Sequence, residues 1–206
     1  MGQTGGVLDP RFVFLAIALS VWGSWSYIRD TLRGTTVPHR VTWGLWGLEG
    51  LLAFAVEIQQ GVGLTSAMTL ALGLVPCLVF AASLTNPVAT WKIDALDIVC
   101  GVISLTGLVV WASVHEATLA LVSFTAADAV AGLPTFRKSW RDPSSETPRA
   151  FALGALNTLI TVLTLKHLTT AGALFPGMIC VSDTILTAVL VTRIGPRWRG
   201  ELRGAS

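Results

Sequence analysis

The stretch YIRDTLRGTTVPHR, residues 27–40, places basic side chains between two long apolar runs, and TFRKSWRDPSSETPR, residues 135–149, does the same about a hundred residues later. Laid over one another, Arg29 falls on Arg137, Thr31 on Ser139 and Arg33 on Arg141; after a two-residue insertion Pro38 falls on Pro148. Each stretch closes one apolar run and opens the next. The question is whether this is one unit used twice.

The apolar runs answer it. Segments of about 17–25 apolar residues are long enough to cross a bilayer. Seven are found, at approximately 12–28, 41–60, 64–83, 94–112, 116–136, 150–166 and 171–192. The first lacks the basic leader and small-residue cleavage site of a signal peptide, so it counts as a span. Composition agrees: of 206 residues 52% are hydrophobic and 13% charged, with a mean hydropathy of +0.67. Soluble domains carry about 25% charged residues. The net charge of +2 is small, and the basic residues sit in short connections rather than on a folded basic face, which argues against nucleic-acid binding.

Basic residues in connecting segments set orientation. With the N-terminus outside, the inner segments hold Arg29, Arg33, Arg40, Lys92, Arg137, Lys138, Arg141, Arg149, Arg193, Arg197, Arg199 and Arg203, against Arg11 and Lys166 outside. Adding or removing one span would destroy this bias. The expected architecture is therefore all-α, with seven transmembrane helices as two parallel three-helix bundles: a first repeat over 12–83, a linker helix at 94–112, a second repeat over 116–192, and a cytoplasmic tail at 193–206. The odd fourth helix restores the orientation of the second bundle. Parallel repeats of this kind are a transporter architecture.

The stretch GLPTFRKSWRDPSSETPRAFALG, residues 132–154, together with this 3+1+3 layout, resembles the PQ-loop and SWEET-like superfamily. Thr135 stands where the Gln of the PQ motif would follow Pro134, and the first repeat has Ser26 and Tyr27 at the corresponding place. The resemblance implies a membrane transporter for a small polar solute such as a sugar, amino acid or vitamin, passive or proton-coupled, working by alternating access. Non-transporting receptors share the scaffold and form the alternative. A bacterial inner membrane is the expected location, with the small solute and the lipid bilayer as partners and homo-oligomerisation left open.

Ionisable groups inside spans are costly and usually face protein or a watery cavity. Glu49, Asp97, Asp128 and Asp183 qualify, with Glu57 and Asp94 nearer span ends, and no Lys or Arg lies deep in any span. An unpaired carboxyl in low dielectric is the group that proton coupling requires, and Asp128, on the helix of Pro134, is the candidate for it. Glu49 and Asp183, near mid-helix, are candidate substrate ligands; a helix–helix hydrogen bond is the competing reading. Asn157 lies close to where the repeat would place Glu49 and joins them. Asp97 is read as holding the linker helix against its neighbours.

Trp22 with Trp25, and Trp43 with Trp46, are spaced i, i+3 and share a helix face. An aromatic belt accounts for Trp43, whereas Trp22 and Trp46 lie about two turns inside the flanking arginines and are candidates for stacking on a substrate ring. Gly44, Gly47 and Gly50 in GLWGLEG allow close backbone approach, or local unwinding beside Glu49. Pro76, Pro134 and Pro176 fall within helices, where a missing hydrogen bond offers a hinge for gating. Cys77, Cys100 and Cys180, without a CxxC or Cys/His cluster, read as packing residues. HExxH and GxSxG are absent, and residues 171–192 contain no Lys for a retinal Schiff base. No catalytic residue, metal site or cofactor is expected.

Overall fold

The computed structural model describes residues 7–59, 66–86, 88, 93–114, 116–165 and 169–200. Among them are seven helices of sixteen residues or more and no strand. A 3-10 turn at Pro10–Phe12 leads into α1 (Val13–Leu32), followed by α2 (Arg40–Gln59), α3 (Ser66–Thr85) and α4 (Ala95–Ser113). Then come α5 (Ala117–Arg141), α6 (Pro148–Leu163), α7 (Thr170–Thr192) and the short α8 (Ile194–Trp198). Lys92, Lys166, Arg203 and the end of the expected tail lie outside the described residues.

Local chemistry fixes the ends. Asp94 accepts from the Asp97 backbone N–H while Asp97 accepts from that of Asp94, a reciprocal capping box at the start of α4. Glu116 accepts from the N–H groups of Thr118 and Leu119 to start α5. Pro148 opens α6, where its missing N–H costs nothing.

The two basic stretches are helical in part rather than pure connections between helices. Residues Tyr27 to Leu32 belong to α1 and Thr135 to Arg141 to α5. Cations in a last turn favour the helix dipole, so Lys138 and Arg141 extend α5 beyond the apolar run rather than ending it. The aligned prolines also occupy different places: Pro148 is the first residue of α6, whereas Pro38 precedes α2 by two residues. The first residues of the expected tail form α8. Arg193, at a left-handed φ of 51°, turns the chain, and α8 packs on the end of α5. A Cβ on Gly195 would fall 1.8 Å from the Trp140 carbonyl oxygen, so only glycine fits there.

Successive helices run in opposite directions. The ends of α1 and α3 meet the start of α2, through Asn86 Nδ2 donating to the Thr36 carbonyl (2.8 Å) and Arg40 to that of Ser83 (2.6 Å). Arg137 near the end of α5 pairs with Asp94 at the start of α4. Arg199, just past α8, donates to the Arg141 carbonyl at the end of α5 (2.8 Å). At the opposite end Leu8 donates to the carbonyl of Leu163, the last residue of α6 (3.1 Å). The basic residues assigned to the inner segments, where described, thus gather at one end of the molecule, and Arg11 lies at the other.

Apart from α4, which packs extensively on α5, the major packing pairs are α2 with α3, α6 with α7, α1 with α3, α5 with α7, α1 with α6, and α2 with α5. Exchanging α1 for α5, α2 for α6 and α3 for α7 maps this set onto itself. α4 stands apart and packs mainly on α5, with Ser104 donating to the Ala127 carbonyl at 2.6 Å. GLWGLEG packs closely on α3, as expected. A Cβ on Gly47 would come 2.7 Å from Cys77 Sγ, and one on Gly73 would come 2.8 Å from the Gly50 carbonyl carbon. All three cysteines are free.

The surface exposes many large apolar side chains while polar ones are buried among the apolar core, unlike a soluble protein. Ile98, Val102, Val109, Val181, Ile185 and Val191 are exposed, while Thr42, Glu49, Ser83 and Thr135 are buried. Among the described residues three helices are long and apolar enough to cross a membrane: Ala95–Ser113, Thr118–Arg141 and Gly172–Thr192. The chain is an α-helical membrane protein. In α1 and α2, the polar residues that lower hydropathy, Ser20, Ser24 and Glu49 among them, face the interior described next.

Candidate functional site

A cavity of about 410 Å³ lies between the helices. Every long helix except α4 contributes to its wall: Ser20 and Tyr27 from α1, Trp46 and Glu49 from α2, Pro76 from α3, Asp128 from α5, Gly154 from α6, and Asp183 from α7. Its floor is the cluster of Tyr27, Trp43, Val79, Phe151 and Leu186 toward the basic end. From there it passes the three carboxyls and reaches Phe124 and Phe175, whose rings sit 5.1 Å apart.

Glu49, Asp128 and Asp183, each chosen from sequence, therefore share one space. Glu49 adjoins Asp128, and Asp183 is close enough to Asp128 to interact electrostatically. Glu49 is 1% exposed, and neither of its carboxyl oxygens receives a hydrogen bond from a protein donor. An adjacent acid cannot supply one without a proton of its own. No Lys, Arg or His is among the described residues lining the cavity.

Trp46 is placed as expected of a platform. It lines the cavity, and its indole N–H donates to the Asp128 carbonyl oxygen at 3.1 Å, fixing the ring beside the acids. Trp43 is a buried floor residue rather than part of an aromatic belt, packed edge-on to Trp46 at 5.2 Å. Trp22 is a correction: at 61% exposed it projects from the outer face and does not reach the cavity. One turn of α1 decides this, since Ser20, Gly23, Ser24 and Tyr27 form the inward face and residue 22 falls outside that arc. Asn157 is a second correction. It is half-buried on α6 but not in the cavity wall, where α6 presents Gly154. Pro76 lines the cavity, Pro134 is buried beside it in α5, and Pro176 lies next to the wall residue Phe175. The side chain of Glu57 lies outside the described residues.

Gly154 was not singled out in the sequence, yet it makes room for an acid. A Cβ there would fall 2.2 Å from Asp183 Oδ2.

Beneath the floor, the two basic stretches join. Tyr27 donates from its hydroxyl to Glu146, and Trp43 Nε1 donates to the same hydroxyl at 3.2 Å. Glu146, its side chain fully buried, forms an ion pair with Lys138 at 2.6 Å, without the alignment of a hydrogen bond. Lys138 Nζ also donates to the Val37 carbonyl, and Val37 N–H donates to that of Ser145 (2.8 Å). Arg149 and Thr147 both donate to Asp30. Burial opposes ionisation of Asp30, but Arg29 and Arg149 outweigh it and hold its carboxyl below the ordinary aspartate range. His39 sits 3.3 Å from Asp97, which ties α4 to the start of α2 as expected of Asp97. Sequence reasoning missed Tyr27 and Glu146 as functional positions; the one available signal is that Tyr27 is the sole tyrosine.

Comparison with protein-family models, with curated proteins and with solved structures finds no match to this chain.

Proposed function

We propose that this chain is a transporter of a small solute, with seven spans as two three-helix repeats joined by α4, in the manner of the PQ-loop and SWEET-like layout. The observation that carries the reading is the cavity itself. It is lined by all six helices of the two repeats and not by α4, and it holds three carboxyls at mid-depth with no Lys, Arg or His among the described residues lining it. The packing pairs, unchanged when the repeats are exchanged, support the two-repeat layout. A solute site between repeats is where this architecture binds its cargo. The Tyr27–Glu146–Lys138 network closes the basic end, which by charge bias is the cytoplasmic side; the cell membrane of a bacterium is the location this orientation fits. Alternating access would require that network to part while the opposite end closes.

Asp128 is the proton-coupling residue in this reading, because it lies between Glu49 and Asp183 and faces no cation in the cavity. The test is flux in proteoliposomes. Labelled amines, amino acids, sugars and vitamins are supplied with and without a pH gradient. Protein-dependent accumulation supports transport, and Asp128→Asn should retain exchange while losing the component driven by the gradient. Tight binding with no flux for any solute would make the protein a receptor on this scaffold.

A further inference from the structure

We infer that the cavity takes a small flat organic cation bearing N–H donors, an amidine or guanidine type of group, held by Glu49 and its neighbouring acids against the aromatic wall. This deepens the proposal above and rests on the cavity being a solute site. A cluster of acids could be a silent buried group, so the second observation matters. Glu49 is 1% exposed, lines the cavity, and both of its carboxyl oxygens lack a donor. A buried carboxylate left without hydrogen bonds is costly. Where the protein supplies no donor, a ligand with N–H groups removes that cost.

Charge narrows the class further. The polar side chains on the wall include the three acids, Ser20, Ser24 and Ser182, Thr135 and the Tyr27 hydroxyl, with no cation among the described residues lining it. An anionic solute would meet only repulsion, and a neutral sugar would leave three acids uncompensated. Sodium ions carry charge but make no use of the aromatic faces. Trp46, fixed by its bond to the Asp128 carbonyl, and Phe124 and Phe175 line the same cavity as the acids. Planar cations stack on such rings, and their forked N–H groups match carboxylate geometry. Quaternary ammonium would satisfy the rings but not the oxygens of Glu49. The volume, about 410 Å³, lies in the range of small-molecule sites.

The experiment uses the purified full chain in nanodiscs, with four probes at equal concentration: benzamidine, its neutral isostere benzamide, tetramethylammonium and sodium chloride. Benzamidine should raise the melting temperature and quench tryptophan fluorescence, and the other three should do so much less. Glu49→Gln should weaken benzamidine binding by at least about tenfold, the loss expected for one charge-assisted hydrogen bond. Asp183→Asn, a second variant on another helix, should weaken it too and guards against a folding defect in the first. Equal effects of benzamide and benzamidine, a response to sodium as large as that to benzamidine, or no response to any probe would each overturn the inference. Failure of the transport reading looks different: benzamidine would bind, yet no solute would cross the bilayer. Flux of a neutral sugar without benzamidine binding would leave transport standing and remove the cation.

Discussion

The two ends of the interior handle charge in opposite ways. Below the cavity floor, Glu146 has Lys138 and Tyr27, Asp30 has Arg29, Arg149 and Thr147, and Asp97 has His39. A few residues further in, Glu49, Asp128 and Asp183 share one space with no cation among the described residues lining it. Glu146 and Asp97 are buried like Glu49, so burial alone does not explain the contrast. Charges are paired where the basic stretches must hold together, and left open where a mobile partner would enter.

That contrast makes opposite predictions for two buried glutamates. Glu146→Leu removes the Lys138 partner and the Tyr27 acceptor together. It should destabilise the protein by about 3 kcal/mol, the low end for breaking a buried pair because Lys138 is partly exposed, read as a large fall in melting temperature. A variant as stable as the parent would mean that the network does not close this end.

Gly154→Ala should come next. Its Cβ must displace the Asp183 carboxyl, at a cost of about 1–2 kcal/mol for overpacking a tight site. Because the displaced group lies in the cavity, solute flux or ligand binding should fall further than stability does. Equal losses in both would reduce Gly154 to a packing position.

Glu49→Met should have the opposite sign. An unbranched apolar chain replaces a buried carboxyl that has no donor, which should stabilise the ligand-free protein by about 1 kcal/mol. A drop in melting temperature comparable to that of Glu146→Leu would erase the distinction between the two regions.

The smallest effect concerns Asp30, whose folded-state carboxyl is held below its ordinary range. A depressed acid contributes stability that is fully present above its unfolded value and lost as pH falls through the folded one. Melting temperature should therefore be insensitive to this group from pH 7 to about 5 and decline only below the usual aspartate range. Asp30→Asn should cost about 1 kcal/mol or less at neutral pH, as partly exposed ion pairs do, and should flatten that acid limb. An unchanged limb would assign the acid loss to other groups.

Much of the fold was legible because its signals are local. Apolar runs of the required length became helices within a few residues of the expected bounds, with α5 extended by its terminal cations. The glycines of GLWGLEG meant close approach, and Asp97 meant an anchor for the fourth helix; both are local needs of small or capping side chains. The three carboxyls stood out because an acid amid apolar residues has few other uses.

What the chain could not display was azimuth and partnership. Trp22 and Trp46 look alike in sequence, each paired at i, i+3 near a basic stretch, yet one faces outward and the other the cavity. Rotation of α1 and α2 about their axes depends on what packs against each face, a property of the assembled helices. Asn157 fell outside the wall for the same reason, three residues from Gly154. The Glu146 network was invisible because its members, Tyr27, Lys138 and Val37, come from separate elements that meet only on packing. Sequence by itself determined which segments form helices in a membrane and which acids would be costly there, since both follow from each residue's own transfer energy. Tertiary structure alone decided which of those acids share a cavity and which have partners, because a hydrogen bond or ion pair is a distance between atoms that the linear order leaves free.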